Sequence, residues 1–182
     1  MKILLLSILI FSVNLKELAA QEEQRSQVLV SPDSWRYEKL DLPLSFAPEI
    51  KIEGFEEVRF APGWSKQESE QFWTYTFVWV LDSPATFSRE EMEKNLKHYF
   101  DGLMSVVGKI DSVGTEASLQ QEEFGFSGQV ETYDAFFIKS QVLLNLTIEH
   151  NQDLSLWQFR LSPKETSHPV WQQLNSIKAK SN

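Results

Sequence analysis

The strongest constraint on the fold is a run of alternating side chains between Gln71 and Asp82. One set of alternate positions holds Trp73, Tyr75, Phe77, Trp79 and Leu81, and the other holds Phe72, Thr74, Thr76, Val78 and Val80. Aromatic and β-branched residues at a period of two are typical of a β-strand. Because both sets are largely apolar, we expect a central strand covered on both faces. Its aromatic row either packs beneath a helix or lines a ligand cavity.

A long helix is predicted immediately after this strand. Ser88 and Glu91 have the spacing of a capping box, which satisfies the free N–H groups of a helix start. Apolar residues then recur at intervals of three and four, as on the buried face of an amphipathic helix. Gly108 follows at a position where a helix commonly takes a left-handed end. The sequence therefore predicts a helix over residues 88–107.

The remainder of the chain predicts further strands and a C-terminal helix. Four more segments are predicted to form strands, at 113–119, 124–137, 143–149 and 154–161, and Gly125 and Gly128 in the second indicate a turn and a bulge or close backbone approach. Short turns separate them, which favours antiparallel pairing and an α+β fold class. Ser167 and Pro169 then begin a helix over about residues 168–179. We expect one domain over residues 35–182, with an antiparallel sheet of about five to seven strands and both helices packed on one face.

The N-terminal residues indicate an exported protein. Lys2 precedes a short apolar run, and Ala19 and Ala20 precede a polar stretch, which together are typical of a secretory signal peptide. The run is shorter than the roughly 20 residues that cross a bilayer, and no second segment resembles a transmembrane helix. We expect residues 1–20 to be a signal peptide, residues 21–34 a flexible segment, and the mature protein to be periplasmic or secreted without a transmembrane anchor.

Charge and composition exclude several classes of function. The formal net charge is −9 at pH 7, so the chain is repelled by nucleic-acid phosphates and by anionic lipid. The chain has no cysteine, which excludes a thiol nucleophile, thiolate metal sites and a lipid-modified cysteine. A cysteine-free exported domain favours a bacterial context. We therefore expect no nucleic-acid partner and no cofactor.

Residues that could carry catalysis are few. The chain contains no Gly-x-Ser-x-Gly elbow and no Gly-rich phosphate loop. His150 is the one weak catalytic candidate, because it ends a predicted strand beside Glu149 and shortly before Asp153. Since Glu149 and His150 would point to opposite faces of that strand, we expect no metal site. The adjacent pair Glu56 and Glu57 is expected to be ordinary surface charge.

Two tryptophans outside the strand row are candidate binding residues. Trp64 follows the Pro62-Gly63 turn and Trp35 stands at the start of the predicted domain, so each is a candidate surface anchor for a partner. Alternatively, each folds back and covers an edge of the sheet.

The leading hypothesis is a non-catalytic binding or interaction domain of the cell envelope or secreted fraction. Its partner is expected to be an unknown protein, an envelope component or an apolar ligand. The alternatives are a small secreted hydrolase or other enzyme that uses His150 with acidic neighbours, and a structural envelope protein with no small ligand.

Overall fold

The computed structural model describes residues 27–110 and 113–180. The predicted signal peptide over residues 1–20 lies outside the described residues. In chain order the elements are β1 (Leu29–Val30), β2 (Arg36–Leu42), β3 (Gly54–Phe60), β4 (Tyr75–Leu81), α1 (Arg89–Gly108), β5 (Glu116–Glu122), β6 (Gly125–Tyr133), β7 (Gln141–Asn151), β8 (Leu156–Ser162), α2 (Val170–Ser176) and β9 (Lys178–Ala179).

In the described part of the chain, seven strands form one antiparallel sheet in the spatial order β2-β3-β4-β8-β7-β6-β5. β4 lies inside this sheet, where Phe77 stands opposite Val58 of β3 and Phe159 of β8. The strand is therefore paired on both sides, as its composition predicts. The predicted α+β class, with an antiparallel sheet, one long helix and a C-terminal helix, is confirmed.

α1 covers the aromatic row of β4. The capping box is present: the Ser88 hydroxyl accepts from the Glu91 N–H at 3.2 Å, and the Glu91 carboxylate accepts from the Ser88 N–H at 2.8 Å. Under the helix, the Phe77 ring stacks on Tyr99 with centroids 5.1 Å apart and on Phe159 with centroids 4.3 Å apart. The helix predicted over residues 88–107 is thus observed over Arg89–Gly108.

The left-handed residue that ends α1 is Lys109, and not Gly108 as expected. Lys109 has φ 52° and ψ 46°, and its N–H donates to the carbonyl oxygen of Ser105. Gly108 is the last helical residue, and a Cβ at this position would lie 3.0 Å from the side chain of Ala135. Close packing explains this glycine, although in the sequence it resembles a glycine that ends a helix.

α2 packs on the opposite face of the sheet from α1, which corrects the expectation that both helices share one face. Val78 of β4 lies in one buried cluster with Trp171 and Leu174 of α2, whereas its neighbour Phe77 lies in the cluster with α1. Successive residues of a strand point to opposite faces, so the two helices must lie on opposite sides of β4. The apolar character of both faces of β4 requires this double cover.

α2 is also shorter than the helix predicted over residues 168–179. It spans Val170–Ser176, and the side chain of Gln158 donates to the carbonyl oxygen of Ile177 at 3.0 Å just after the helix ends. The chain then continues as β9, which pairs antiparallel with β1. Within the described residues, neither helix is both long and apolar enough to cross a membrane.

β1 lies within residues 21–34, the segment expected to be flexible. Leu29 is buried, and the carboxylate of Glu57 accepts hydrogen bonds from the N–H groups of Val28 and Leu29 at 2.7 and 2.9 Å. Glu57 also pairs with Arg59 at 2.7 Å, and both side chains are buried. The described part of the segment is thus attached to the sheet through buried polar groups. Such an attachment leaves no apolar periodicity in the sequence, so the pattern did not predict it.

Arg59→Met is expected to lower the free energy of unfolding by about 3 kcal/mol, because it leaves the buried Glu57 carboxylate without its cation. Urea unfolding followed by tryptophan fluorescence measures the change. Arg36→Met is the matched control, since Arg36 and Glu38 form an exposed pair at 3.7 Å, worth about 1 kcal/mol or less. Equal losses in the two variants would contradict the prediction.

Candidate functional site

A cleft of about 320 Å³ opens between the C-terminal half of α1 and strands β2–β4. This volume is at the lower end of the range for small-molecule sites, which is about 300–1,000 Å³. The helix contributes Leu103 and Val107 to its lining. Its aromatic lining consists of Phe46, Phe60, Trp64, Trp73, Tyr75, Tyr99 and Phe136. We call this the aromatic cleft.

One wall of the cleft depends on a glycine in α1. A Cβ at Gly102 would overlap the carbonyl oxygen of Phe46, so only glycine allows the segment between β2 and β3 to pass this close to the helix. Phe46 then packs edge-on against Tyr99, with ring centroids 5.4 Å apart. The close approach of backbone to helix therefore places an aromatic ring at the side of the cleft.

The opposite wall is held by a buried carboxylate, Asp134. One of its oxygens accepts from the N–H groups of Phe136 and Phe137 at 2.8 and 3.0 Å. The other accepts from the N–H of Ile138 at 2.9 Å and from the indole N–H of Trp73 at 3.0 Å. Four donors on one carboxylate fix the turn after β6 to the start of β4, which sets the positions of two lining residues.

Trp73 occupies an unusual backbone conformation in this wall. Its φ is 52°, in the left-handed region that bulky residues rarely adopt. Its N–H donates to the carbonyl oxygen of Trp64 at 2.9 Å, and the two indole rings meet nearly perpendicular at 6.5 Å. Such a conformation costs about 1–3 kcal/mol and tends to occur at functional sites.

The floor of the cleft contains a fully buried carboxyl group, that of Glu56. It accepts hydrogen bonds from the indole N–H of Trp79 at 2.8 Å and from the hydroxyl of Tyr99 at 3.1 Å. Burial raises the pKa of Glu56 from 4.5 to about 7, against the opposing effect of these two hydrogen bonds. The group therefore exchanges between its neutral and ionised forms near neutral pH.

Tyr75 supplies a second buried polar group to the lining. Its hydroxyl has no hydrogen-bond partner among the described residues. Burial, together with the charge of Glu56, raises the pKa of Tyr75 well above its usual range, so the hydroxyl stays protonated. An unpaired buried hydroxyl costs about 1–3 kcal/mol.

The mouth of the cleft carries a cation from β2. The guanidinium of Arg36 lies 4.6 Å from the centre of the Phe60 ring and 5.2 Å from that of Trp64. Glu38 stands beside it as its ion-pair partner at 3.7 Å. Aromatic faces at the entrance of the cleft therefore already contact a positive charge.

The structure separates the two tryptophans predicted as surface anchors. Trp64 is half-buried and lines the aromatic cleft, where its role in binding stays a prediction. Trp35 is only 7% exposed and lies in the cluster beneath α2, so it is not the surface residue that we expected. The row on β4 is divided in the same way: Tyr75 lines the cleft, whereas Phe77 packs beneath α1.

His150 lies in a separate groove of about 760 Å³, at the end of the sheet near the β5–β6 and β7–β8 turns. Its ring stacks flat on Trp157 at 4.0 Å, and burial lowers its pKa. Glu149 pairs with Arg160 instead, at 3.0 Å. In the described ranges, no carboxylate hydrogen-bonds to this imidazole, and no group of three or more His, Asp or Glu side chains could hold a metal ion.

The buried acids of β3 correct the expectation that Glu56 and Glu57 are surface charge. Both are fully buried, one on each face of the strand. The available signal was the alternation itself, because Glu56 shares its face with Val58 and Phe60. A glutamate in register with apolar neighbours indicates a buried carboxyl group. The role of Asp134 had no comparable local signal, because its donors include Trp73, which is distant in the sequence.

The raised pKa of Glu56 predicts a dependence of stability on pH. The folded state binds this proton with a pKa of about 7 and the unfolded state with 4.5, so the stabilisation is complete below pH 4.5. It is lost as the pH rises through about 7, and the loss amounts to about 3 kcal/mol. Urea unfolding at a series of pH values measures this slope.

Glu56→Gln is expected to remove that part of the slope. Glu53→Gln is the matched control, because Glu53 is an exposed acid just before β3. If both variants retain the slope of the original protein, the assignment to Glu56 is wrong.

No protein-family model, curated protein or solved structure matches this chain.

Proposed function

We propose that this protein is an exported, non-catalytic binding domain that holds a small, largely apolar molecule in the aromatic cleft. The observation that carries the proposal is a cleft of about 320 Å³ whose lining is mostly aromatic and apolar. Small-molecule sites combine apolar and aromatic walls with a few polar groups that orient the ligand, and this cleft has that composition.

Preorganisation supports binding at this site. Asp134 fixes the Phe136 wall with backbone hydrogen bonds, and Gly102 allows the Phe46 wall to lie against α1. Both walls are therefore set by the fold before a ligand arrives. Walls that are positioned before binding lose little conformational entropy, so more of the contact energy contributes to affinity.

The same residues give less support to an enzyme. The described lining of the cleft contains no Ser, Thr, His or Lys that could serve as a nucleophile or proton carrier beside Glu56. The alternative based on His150 lacks an orienting carboxylate, because the neighbouring Glu149 pairs with Arg160. Binding requires only the groups that the cleft contains.

Binding is tested with the neutral fluorescent probe N-phenylnaphthylamine, whose emission rises in apolar surroundings. We expect a saturable rise in fluorescence with the original protein. Val107→Arg is expected to weaken binding by about tenfold, because Val107 lines the cleft and is 38% exposed, so a long charged side chain would enter the apolar space.

Val106→Arg is the matched control for this experiment. Val106 is the preceding residue of α1, is 65% exposed and is not part of the cleft lining. The affinity of the Val106→Arg variant for the probe is expected to equal that of the original protein. Absence of saturable binding, or equal losses in the two variants, would overturn the aromatic cleft as the binding site.

Export is the second part of the proposal, and the charged, apolar and small residues at positions 1–20 support it. Expression of the full chain in a Gram-negative bacterium is expected to give periplasmic protein whose N-terminus, measured by mass spectrometry, lies at or near Gln21. Leu5→Arg should block export by placing a charge in the apolar run, whereas Gln24→Arg should not. Cytoplasmic protein that retains Met1 would contradict export.

A further inference from the structure

We infer that the ligand of the aromatic cleft is an organic cation, with an aromatic or apolar body and an ammonium group that pairs with the carboxylate of Glu56. This inference rests on the proposed function and names the chemical class of its ligand. It is drawn from the buried acceptors of the floor, from the aromatic walls and from the charge of the chain.

The floor of the cleft offers acceptors to a cation. Each oxygen of Glu56 accepts one hydrogen bond, from Trp79 or from Tyr99, so each keeps a lone pair for a further donor. The unpaired hydroxyl of Tyr75 can accept as well. Because both groups are buried in the free protein, the ammonium group must displace the side chains that cover them. An ammonium group has three donors and no acceptor, which matches this set.

The walls of the cleft also favour a positive charge. The guanidinium of Arg36 stands 4.6 Å from the centre of the Phe60 ring, which is the geometry of a cation–π contact. The positive charge of Arg36 therefore already contacts the aromatic rings at the mouth of the cleft. The rings of Tyr75 and Tyr99, which also line the cleft, are buried, and cation–π contacts are stronger where water is excluded.

The charges around Glu56 agree with this assignment. From β2, Glu38 raises the pKa of Glu56, and its partner Arg36 remains at the exposed mouth. From β4 and α1, Trp79 and Tyr99 supply neutral donors. An entering ammonium group would supply the missing positive charge and hold Glu56 in its ionised form. The net charge of −9 attracts cations to the protein from a distance.

The test uses three probes that share a naphthalene body: naphthylmethylamine, which is a cation, naphthylmethanol, which is neutral, and naphthylacetate, which is an anion. Isothermal titration at about pH 8 measures their affinities for the full mature protein. We expect the cation to bind about tenfold more tightly than the alcohol, and the anion to bind most weakly.

Two variants separate a ligand contact from a structural role. Glu56→Gln is expected to lower the affinity for the cation by about tenfold and that for the alcohol by less than about threefold. Tyr75→Phe removes a buried hydroxyl that has no hydrogen-bond partner among the described residues, so it should raise the unfolding midpoint and lower the affinity for the cation by about threefold. Glu53→Gln, at an exposed position, is the matched control and should change neither affinity.

The pH dependence of affinity separates a ligand contact from a purely structural role of Glu56, because a structural role would not make the affinity for the cation and for the alcohol depend differently on pH. Affinity for the cation is expected to fall as the pH is lowered from about 8 to about 5, because Glu56 takes up a proton. The alcohol should show little change over the same interval.

The outcomes distinguish this inference from the proposed function. If the alcohol binds as tightly as the cation, or if Glu56→Gln affects both probes equally, the ligand is not a cation and the cleft remains a binding site. The same conclusion follows if all three probes fail while N-phenylnaphthylamine binds. If N-phenylnaphthylamine fails as well, both proposals are wrong.

Discussion

The fold depends on the need to cover both faces of β4. Its two sets of side chains are apolar, so one helix on one side of the sheet would leave the other side in water. α1 covers Phe77 and Trp79, while α2 and the paired strands β1 and β9 cover Val78. The aromatic row also continues to Trp73, where turns rather than the helix provide the cover. The aromatic cleft lies at this change from helix to turns.

The buried polar groups of the sheet are satisfied to different degrees. Asp134 accepts four N–H groups, and Glu57 accepts two and pairs with Arg59. These groups hold structure together. Glu56 has two neutral donors and no cation, and the hydroxyl of nearby Tyr75 has no hydrogen-bond partner among the described residues. Buried polar groups with unused capacity are costly unless a function compensates for them.

What the sequence could predict was local. The alternation of β4 and the capping box at Ser88 involve residues close in the chain, so their patterns identify the strand and the helix. The side of the sheet that α2 covers, and the burial of Trp35, depend on how distant segments meet. The cleft belongs to this second group, because it joins α1 to the turn after β6 and to β2–β4. Glu56 lies between the two cases. The alternation of β3 places it on the same face as Val58 and Phe60, but its complete burial depends on distant segments.

The pairing of β1 with β9 brings the two ends of the described chain to one place. The N–H of Lys180 donates to the carbonyl oxygen of Val28 at 2.8 Å, and both strands lie on the face covered by α2. The aromatic cleft lies on the other face, beside α1. A fusion partner, an affinity tag or a solid support joined near either end would therefore point away from the cleft. The protein could be immobilised through these ends with the aromatic cleft left open to solution.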